Sequence, residues 1–404
     1  MASISLRATE KSIEKIAQIP HCVRALEWIG SKTKWVTDQQ VLLTEIPAPV
    51  GGESRRAEYM KRLFDNMDLR TRIDEVGNVI AERPGTNEGV ILLAAHLDTV
   101  FPSSTEIKVK RDGARLVAPG ISDNGAGLAS MIGLAAALNE SGVRTKRTIV
   151  FAGDVGEEGE GNLRGIRALV EAYRSRVSAV IAVDGPSVEH VTVQGIASRR
   201  FEIVVSGPGG HSWSDFGGPS AITALARGIV EFSAVRVSDR PRSSFNFGVI
   251  EGGNSVNSIP SRAAVRVDLR SESESELARL EASLRQAMQT GAQQETDFAG
   301  TRADELELTF TSLGERPSGK LPEDSVLLET IREVDHFLGN RSRLERSSTD
   351  ANVPLSLGIP AVSVGGGGMG GGAHTTSEWY DPTGRALGLK RLCLITLAMA
   401  GVLP

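Results

Sequence analysis

The sequence of 404 residues has few cysteines and few aromatic residues: two cysteines, Cys22 and Cys393, and 4% aromatics. Two cysteines cannot form a disulfide framework, and their scarcity is typical of a protein from a reducing compartment. So few aromatic side chains argue against a platform on which nucleic-acid bases stack. We therefore predict the cytoplasm as the location of the protein.

An excess of positive charge and a long apolar run are also missing. The formal net charge of −5 gives no electrostatic basis for binding nucleic acid or an anionic membrane surface. No apolar run reaches the roughly 18 residues of a membrane-spanning helix, and the first thirty residues show no signal-peptide pattern. The sequence thus predicts a protein without nucleic-acid or membrane partners.

Length and patterning predict two domains, because 404 residues exceed one ordinary core. Strands such as "GVILLAAHLD" and "RTIVFAGD" alternate with helices, among them one predicted over 125–141, which favours an α/β domain. Its sheet should be mostly parallel, with helices on both faces. In 197–314, strands such as "RAAVRVDLRS" alternate apolar and polar residues instead. We predict a large α/β domain over 1–196 and 315–404, and a smaller α+β lid or dimerisation domain inserted at 197–314.

Ionisable residues follow the core strands of the larger predicted domain. His96 and Asp98 end one strand, Glu157 and Glu158 come just after the next, and Asp184 ends a third. In an open α/β sheet, ligand sites form outside the carboxyl ends of the strands. We therefore expect these side chains to lie close together.

Two further residues complete the set: Asp123 in the turn-rich segment "PGISDNGAG", and His374 after the patch "GGGGMGGG". Imidazole and carboxylate ligands without thiolates suit zinc, manganese or cobalt in a hydrolytic site. Two histidines with three or more carboxylates suit two ions about 3.5–4 Å apart with a bridging carboxylate. Each residue alone has a plain structural alternative, such as a turn aspartate or a solvated glutamate pair. The joint pattern favours a two-metal centre.

Seven motifs carry a resemblance to a known family: "HLD", "SDNGAG", "GEEGEG", "VDG", "GPGGHS", "NSVNSIP…DLR" and "AHTTSEW". In this order and spacing, the chain resembles a family of zinc peptidases and deacylases over about residues 35–400. That family includes glutamate carboxypeptidase, peptidase T, acetylornithine deacetylase, succinyl-diaminopimelate desuccinylase and aminoacylase. The resemblance implies that the larger domain is a di-metal catalytic domain.

The resemblance also implies a set of five metal ligands. His96 and Asp184 would hold one ion, Glu158 and His374 would hold the other, and Asp123 would bridge the two. Zinc is the implied metal, with cobalt and manganese as the alternatives.

Two acids beside the ligands receive catalytic roles from the resemblance. Glu157 resembles a general base that takes a proton from a water between the ions and passes it to the leaving amine. Asp98 resembles the aspartate that accepts the other ring N–H of His96 and so fixes its tautomer. Asp350 and Glu378 match family positions that support the site rather than bind metal.

The predicted insertion contributes three candidate residues. His211 resembles a histidine that stabilises the oxyanion, often in the active site of the partner subunit. Asn257 and Arg270 resemble a polar clamp for a substrate carboxylate. The plain alternatives are a histidine that caps a turn and an arginine that pairs with Asp268 or a surface glutamate. A homodimer formed through the insertion is also implied.

Three positions depart from the commoner form of the family. Gly125 stands where many members have lysine, which is not a ligand. Asp184 stands where carboxypeptidases of the family usually have glutamate, which favours an aminopeptidase or a deacylase. The glycine patch at 365–372 is longer than expected, and we expect it to shape the substrate pocket.

Several functions follow from these observations. The leading hypothesis is a two-metal hydrolase that cleaves an amide bond in a short peptide, as an aminopeptidase or tripeptidase does. The alternatives are an N-acyl amino acid deacylase and a carboxypeptidase. A non-catalytic relative that binds metabolites would lack a ligand or the base, and a scaffold protein would not need so many ionisable groups at strand ends.

Overall fold

The computed structural model describes residues 12–300 and 306–403. The chain divides into two compact units, Met1–Gly195 with Gly319–Pro404, and Ile196–Ser318. The predicted insertion begins one residue after the second unit begins and ends four residues before it ends. The difference at its end arises because the last strand of this unit continues to Arg316, past an irregularity in its pairing at Ser312 and Gly314.

The elements are labelled in chain order, with α7, α8 and β9 to β14 in the second unit. The helices are α1 (Ile13–Ala17), α2 (Pro20–Ser31), α3 (Thr33–Thr44), α4 (Ser54–Asp65), α5 (Gly125–Ser141), α6 (Arg164–Tyr173), α7 (Ala221–Ser233), α8 (Glu274–Ala299), α9 (Val326–Leu338), α10 (Asn352–Ser356) and α11 (Arg385–Ala400). Within the described ranges, no helix combines the length and hydrophobicity needed to cross a membrane.

The strands follow the same labelling. They are β1 (Arg70–Ile73), β2 (Val79–Arg83), β3 (Val90–His96), β4 (Lys110–Asp112), β5 (Arg115–Val117), β6 (Thr148–Asp154), β7 (Val177–Val183), β8 (His190–Gly195), β9 (Ala197–Ser206), β10 (Gly210–His211), β11 (Ser243–Gly252), β12 (Ser258–Ile259), β13 (Arg262–Ser271), β14 (Glu307–Arg316), β15 (Gly319–Lys320), β16 (Arg343–Ser347), β17 (Ala361–Val364), β18 (Met369–Gly371) and β19 (Trp379–Asp381).

The first unit is built on a mixed sheet, with nine strands in the part of the chain that the structure describes. Their order is β1-β2-β6-β3-β7-β17-β8-β15, and β16 pairs with β8. The central strands β6, β3, β7 and β17 run parallel, whereas β2 and β8 join them antiparallel. Every residue of β3 is buried, as expected for a strand covered on both faces. The predicted α/β architecture, a mostly parallel sheet with helices on both sides, is confirmed.

Helix α5 has the bounds predicted from the sequence. Asn124 caps it, because its side-chain oxygen accepts the backbone N–H of Gly127. A Cβ added at Gly127 would lie 2.2 Å from the carbonyl oxygen of Val183, the last residue of β7. Glycine at this position therefore lets the start of α5, and Asp123 just before it, approach the carboxyl end of the sheet.

A second, smaller sheet of the first unit has the order β18-β19-β5-β4 and is antiparallel throughout. Its strands are three residues long, too short to show a recognisable alternation in the sequence. It packs on an apolar cluster that includes Leu116, Ile121 and Tyr380. The sequence did not predict this sheet.

The second unit is an α+β layer. Its antiparallel sheet has the order β11-β13-β9-β14, and α7 and α8 pack on one face of it. The side-chain oxygen of Ser273 caps α8, and the stripe of Leu277, Leu280, Leu284 and Met288 is buried. The buried face continues to the end of the helix at Ala299.

Candidate metal centre

Three neighbouring parallel strands bring the candidate residues to one edge of the main sheet. Strands β6, β3 and β7 are adjacent, and the register pairs His96 at the end of β3 with Asp154 at the end of β6. Asp184 directly follows β7, and Glu157 and Glu158 lie in the loop after β6. Because the three strands are parallel, these segments leave the sheet at the same edge.

The carboxylate of Asp123 lies between the two predicted metal-binding imidazoles. Its Oδ1 is 3.1 Å from Nε2 of His96, and its Oδ2 is 3.2 Å from Nε2 of His374. Asp184 Oδ1 is 3.8 Å from Nε2 of His96, and Glu158 Oε1 is 2.8 Å from Nε2 of His374. The five predicted ligands thus form two triads, one with His96 and Asp184 and one with Glu158 and His374, which share Asp123.

The spacing of these atoms fits divalent ions. Two ligands bound about 2.1 Å from a tetrahedral ion are about 3.4 Å apart, and the four distances above, 2.8 to 3.8 Å, bracket that value. Within each triad, the candidate ligand atoms all lie within 4.8 Å of one another. The donor set of imidazole nitrogens and carboxylate oxygens, without sulfur, also suits zinc, manganese or cobalt.

The electrostatics of the site favour bound cations. Burial alone would raise the pKa of Asp123, but hydrogen bonds with His374 and His96, and their charges, hold it well below its usual range. Hydrogen bonds with Asp123 and Glu158 raise the pKa of His374 to about 10. Burial opposes protonation of His96, but hydrogen bonds with Asp123 and Asp184 raise its pKa well above the ordinary value. A metal ion that binds here would displace the protons that these imidazoles otherwise carry.

Asp98 differs in one respect from the role that the sequence predicted. Nδ1 of His96 lies 3.1 Å from the backbone carbonyl oxygen of Asp98 and 3.8 Å from its carboxylate Oδ1. A carbonyl oxygen can only accept, so Nδ1 carries the proton and Nε2 faces the triad. The carboxylate instead accepts the backbone N–H groups of Glu157 and Glu158, at 3.0 and 2.7 Å. Asp98 therefore positions the Glu157–Glu158 loop through its side chain, and orients His96 through its backbone.

Glu157 lies in this same loop and belongs to neither triad. It is buried, at 5% exposure. The backbone at Glu158 is extended, with φ −80° and ψ 150°, and successive side chains in extended backbone point in different directions. The neighbouring glutamates can thus serve separate functions, because Glu158 contacts His374 and Glu157 is directed elsewhere.

Glu378 is the main support of the loop that carries Asp123. Its fully buried carboxylate accepts hydrogen bonds from the backbone N–H groups of Gly120, Ser122 and Asp123 and from the Ser122 hydroxyl. The four distances lie between 2.6 and 2.8 Å. Its position matches the supporting role that the resemblance implied.

Asp350 lies in a second buried acidic group, with Asp154. Burial, partly offset by the charge of His96, raises the pKa of Asp154 to about 7. Burial and the charges of Asp154 and Glu157 raise the pKa of Asp350 well above its ordinary value. Neither residue belongs to a triad, in keeping with the supporting role predicted for Asp350.

Two positioning residues were missed in the sequence. Arg56, fully buried in α4, donates from its guanidinium to the backbone carbonyl oxygens of Leu97 and Ile46, both at 2.6 Å. Leu97 separates His96 from Asp98, so Arg56 holds the end of β3. Asn124 joins the start of α5 to β7 by donating to the Val183 carbonyl and accepting from the N–H of Gly185. An asparagine before a predicted helix was a signal for the second, but no sequence signal marked the first.

The first half of the glycine patch serves close packing. Its first four residues, 365–368, are buried. Added Cβ atoms would lie 2.5 Å from Ser130 Oγ at Gly366 and 2.3 Å from Tyr380 Oη at Gly368. These glycines therefore permit close packing against α5 and the smaller sheet, and the expected role of the patch in shaping a substrate pocket stays a prediction.

The candidate residues of the second unit are exposed at its surface. Nδ1 of His211 accepts the backbone N–H groups of Trp213 and Ser214, at 3.1 and 3.3 Å, so a neutral ring carries its proton on Nε2. The backbone carbonyl oxygen of Asn257 accepts a hydrogen bond from the backbone N–H of Ser212, which places Asn257 beside the loop that carries His211.

Arg270 adopts the plain alternative, because its Nε donates to Asp268 Oδ2 at 2.6 Å. Its side chain remains 44% exposed. The clamp of Asn257 and Arg270 for a substrate carboxylate therefore stays a prediction.

An α/β unit whose sheet edge carries two imidazole–carboxylate triads with a shared aspartate has the organisation of a two-metal hydrolase. The sequence model of Peptidase family M20/M25/M40 matches residues 92–396. The chain belongs to this family, and the predicted resemblance is confirmed.

Similar proteins extend this result. A Pyrococcus abyssi protein named as a LysW-lysine/LysW-ornithine hydrolase is 34% identical over 127 residues, which are 31% of this chain and 34% of that protein. The chain thus spans about a third of the length of the first curated relatives it matches. Aminopeptidase PepT from Bacillus cereus shares the fold, with a TM-score of 0.72, 23% identity and coverage of 91% of this chain and 99% of PepT. A dinuclear metal-binding peptidase of the M20 family from Bacillus subtilis has a TM-score of 0.65, 19% identity and coverage of 92% and 99%.

Proposed function

We propose that this protein is a two-metal hydrolase that cleaves an amide bond in a short peptide. The observation that carries the proposal is the shared carboxylate of Asp123, whose two oxygens lie 3.1 and 3.2 Å from the imidazoles of two different triads. His96 and Asp184 would hold one ion, Glu158 and His374 would hold the other, and Asp123 would bridge them. Bound ions supply a Lewis acid that polarises the amide carbonyl and increases the acidity of water.

Glu157 is the proposed general base. Its carboxylate would accept a proton from the attacking water and deliver it to the nitrogen of the leaving amine. Two observations support this role: Glu157 is buried and directly precedes the candidate ligand Glu158, and its backbone N–H donates to the carboxylate of Asp98. Asp98 would thereby position the base as well as Glu158.

Zinc is the proposed metal, with cobalt and manganese as alternatives, because borderline ions accept imidazole and carboxylate together. The Bacillus subtilis neighbour is described as binding a dinuclear metal centre, which supports two ions rather than one.

Aminopeptidase or tripeptidase action is the leading choice within this chemistry. Asp184 favours it over carboxypeptidase action, and the Bacillus cereus neighbour is named an aminopeptidase. The name of the Pyrococcus relative, a hydrolase that acts on a lysine or ornithine conjugate, keeps the deacylase alternative open. Comparing a tripeptide, its N-acetylated form and its C-terminal amide separates them, because faster cleavage of the acetylated form would contradict the peptidase assignment.

The second unit is the proposed lid and the proposed interface of a homodimer. It exposes large apolar side chains, among them Trp213 at 86%, Phe216 at 74% and Ile250 at 63%, which are costly to leave in water. His211 would stabilise the oxyanion of an active site, in its own subunit or in the partner. Sedimentation that shows only monomer would contradict the dimer. The cytoplasmic location stays a prediction, supported by the low number of cysteines, both of which are buried.

The central experiment combines metal analysis with a variant of the base. The purified protein should contain two divalent ions per chain and lose hydrolysis when they are chelated. Glu157→Gln should keep both ions and reduce kcat by about 10²–10⁴, the usual contribution of general acid–base catalysis. Glu160→Gln is the matched control, since Glu160 is exposed in the same loop. A Glu157→Gln enzyme as active as the control would refute the assigned base.

A further inference from the structure

Buried arginine side chains in the first unit differ in how their charge is satisfied. Arg56, Arg385 and Arg391 are all fully buried. A buried charge is costly unless it is paired and hydrogen-bonded. Arg391 meets this requirement through Asp335, whose two carboxylate oxygens accept from it at 2.6 and 3.1 Å. Arg56 meets it through several backbone carbonyl oxygens.

Arg385 lacks comparable partners. Its Nη2 donates to the side-chain oxygen of Gln40, and its guanidinium lies 4.6 Å from the ring centre of Tyr380. Within the described parts of the chain, Nε and Nη1 have no hydrogen-bond partner, and no carboxylate pairs with the guanidinium. The nearby Asp381 accepts the backbone N–H of Thr383 instead. Tyr380 adds no negative charge at neutral pH, because burial raises its pKa to about 12.

A cleft of about 480 Å³ in the first unit includes Arg385 in its wall. The rest of the wall comes from the start of α11, from the first half of α3 and from Arg111 in β4. Its volume falls in the range of about 300–1,000 Å³ that is usual for sites of small ligands. Of its other charged residues, Lys34 and Asp38 pair with each other. The charges of Arg111 and Arg385 therefore give the cleft an excess of positive charge.

The start of α11 adds unused donors to the same wall. Gly384 occupies the N-cap position, where it has no side chain to accept the first N–H groups of the helix. Among the residues that the structure describes, the backbone N–H groups of Ala386 and Leu387 have no acceptor, and Ala386 lines the cleft. The N-terminal end of a helix also carries the positive end of its dipole. The helix end and the buried arginine thus independently favour an anion at this place.

We propose that this cleft binds a phosphate group through Arg385, Arg111 and the N–H groups at the start of α11. A phosphate offers several acceptor oxygens and a negative charge, which suits guanidinium donors together with a helix N-terminus. The cleft also has room for the rest of a small phosphorylated molecule. None of its lining residues belongs to a triad. The site therefore serves a second ligand and does not depend on the proposed amide hydrolysis.

The test is calorimetric titration of the purified full-length protein with inorganic phosphate. The wild type should bind one phosphate per chain at a site that Arg385→Met abolishes. Arg111→Ser should weaken that binding about tenfold or more, because a charge-assisted hydrogen bond is lost. Arg385→Lys keeps the charge but loses the fork of donors, so it should bind with intermediate affinity. Arg55→Ser is the matched control, since Arg55 is exposed on α4 and does not line the cleft.

Thermal unfolding separates a lost site from a lost fold. Methionine replaces the buried guanidinium with an apolar side chain, so Arg385→Met should unfold without phosphate at the same temperature as the wild type or at a higher one. Phosphate should raise the melting temperature of the wild type and of Arg55→Ser but not that of Arg385→Met. If Arg385→Met does not fold, Arg111→Ser decides alone, because Arg111 is exposed in β4 and its replacement leaves no buried gap.

Two further titrations identify the source of the phosphate and the limits of the assignment. Tighter binding of glycerol 3-phosphate than of inorganic phosphate supports a phosphorylated small molecule as the ligand, and the reverse supports free phosphate. Absence of phosphate binding by the wild type overturns the site. Binding that is unchanged in both arginine variants also overturns it, because the phosphate then lies elsewhere, for instance at the metal centre. Citrate that binds more tightly than either phosphate compound, and is lost in the same variants, overturns the choice of phosphate over a carboxylate.

Discussion

Glu378 offers the sharpest test of how the metal centre is supported. Its carboxylate accepts four hydrogen bonds, three from backbone N–H groups and one from the Ser122 hydroxyl, and all four donors lie in 120–123. Alanine at this position leaves those donors without their acceptor. The segment that carries Asp123 should then move away from the two triads.

The magnitude follows from the contacts. An unsatisfied buried donor costs at least about 1 kcal/mol, so four donors cost about 4 kcal/mol. Part of this is offset, because burial raises the pKa of Glu378 and its ionised form is itself costly to bury. We expect Glu378→Ala to lower the free energy of unfolding by about 2–4 kcal/mol and to weaken metal binding about 10–100-fold.

The assay is urea unfolding of the chelator-treated protein, together with competition for zinc against a chromophoric chelator. Glu378→Gln should have an intermediate effect, because three of the four bonds go to Oε1, which the amide oxygen can replace. Glu323→Ala is the matched control, since Glu323 is 82% exposed. If Glu378→Ala and Glu323→Ala bind zinc and unfold alike, the carboxylate does not hold the loop and the reasoning is wrong.

Three further predictions concern protons and the remaining supports. Burial raises the pKa of Asp154 to about 7, so the protonated carboxyl stabilises the folded protein at low pH, and this stabilisation is lost as the pH rises through that value. The melting temperature of chelator-treated Asp154→Asn should therefore increase relative to that of the chelator-treated wild type between pH 5 and pH 8. Parallel plots of melting temperature against pH would contradict this. The pKa of His374 is raised to about 10, so its ring is protonated at pH 7 without metal. Zinc binding should therefore release protons and become tighter as the pH rises from 6 to 9. Calorimetry in two buffers of different ionisation enthalpy measures this proton release, and a zinc titration without proton release would refute the assignment of His374 as a ligand. Asp98→Asn places an amide NH₂ group against one of the two backbone N–H donors, those of Glu157 and Glu158, so it should weaken zinc binding about 10–100-fold. Unchanged affinity in the zinc competition assay would show that the Glu157–Glu158 loop does not depend on Asp98.

The strands and the convergence of the candidate ligands could be predicted because their signals are local. A fully buried strand such as "VILLAAH" is apolar throughout, and the residues that end it are conspicuous when they are ionisable. Parallel neighbours then carry His96, Glu158 and Asp184 to one edge by topology alone. Asp123 and His374 do not directly follow a core strand of the main sheet, so they were found through their residue types and flanking turn or glycine segments, and the resemblance then assigned their roles.

The supports could not be predicted because they depend on the backbone path. Asp98 was expected to bond the ring of His96 with its carboxylate, but that carboxylate lies 3.8 Å away and is used by two backbone N–H groups of another loop. Glu378 and Gly120 are 258 residues apart in the chain. Arg56 donates only to carbonyl oxygens, and backbone acceptors leave no mark in the sequence of side chains.

The two supports have a common design that explains how the triads keep their geometry. Asp98 and Glu378 are both buried carboxylates, and each accepts backbone N–H groups from a loop that presents a metal ligand. A bond to the backbone fixes the position of the loop whatever the ligand side chain does, so the ligands are arranged before any ion arrives. Their negative charge is partly neutralised by the N–H dipoles, which limits the repulsion that Asp98 and Glu378 would otherwise add to the carboxylates of Asp123 and Glu158. The triads can therefore concentrate negative charge at one sheet edge while the fold that surrounds them stays intact.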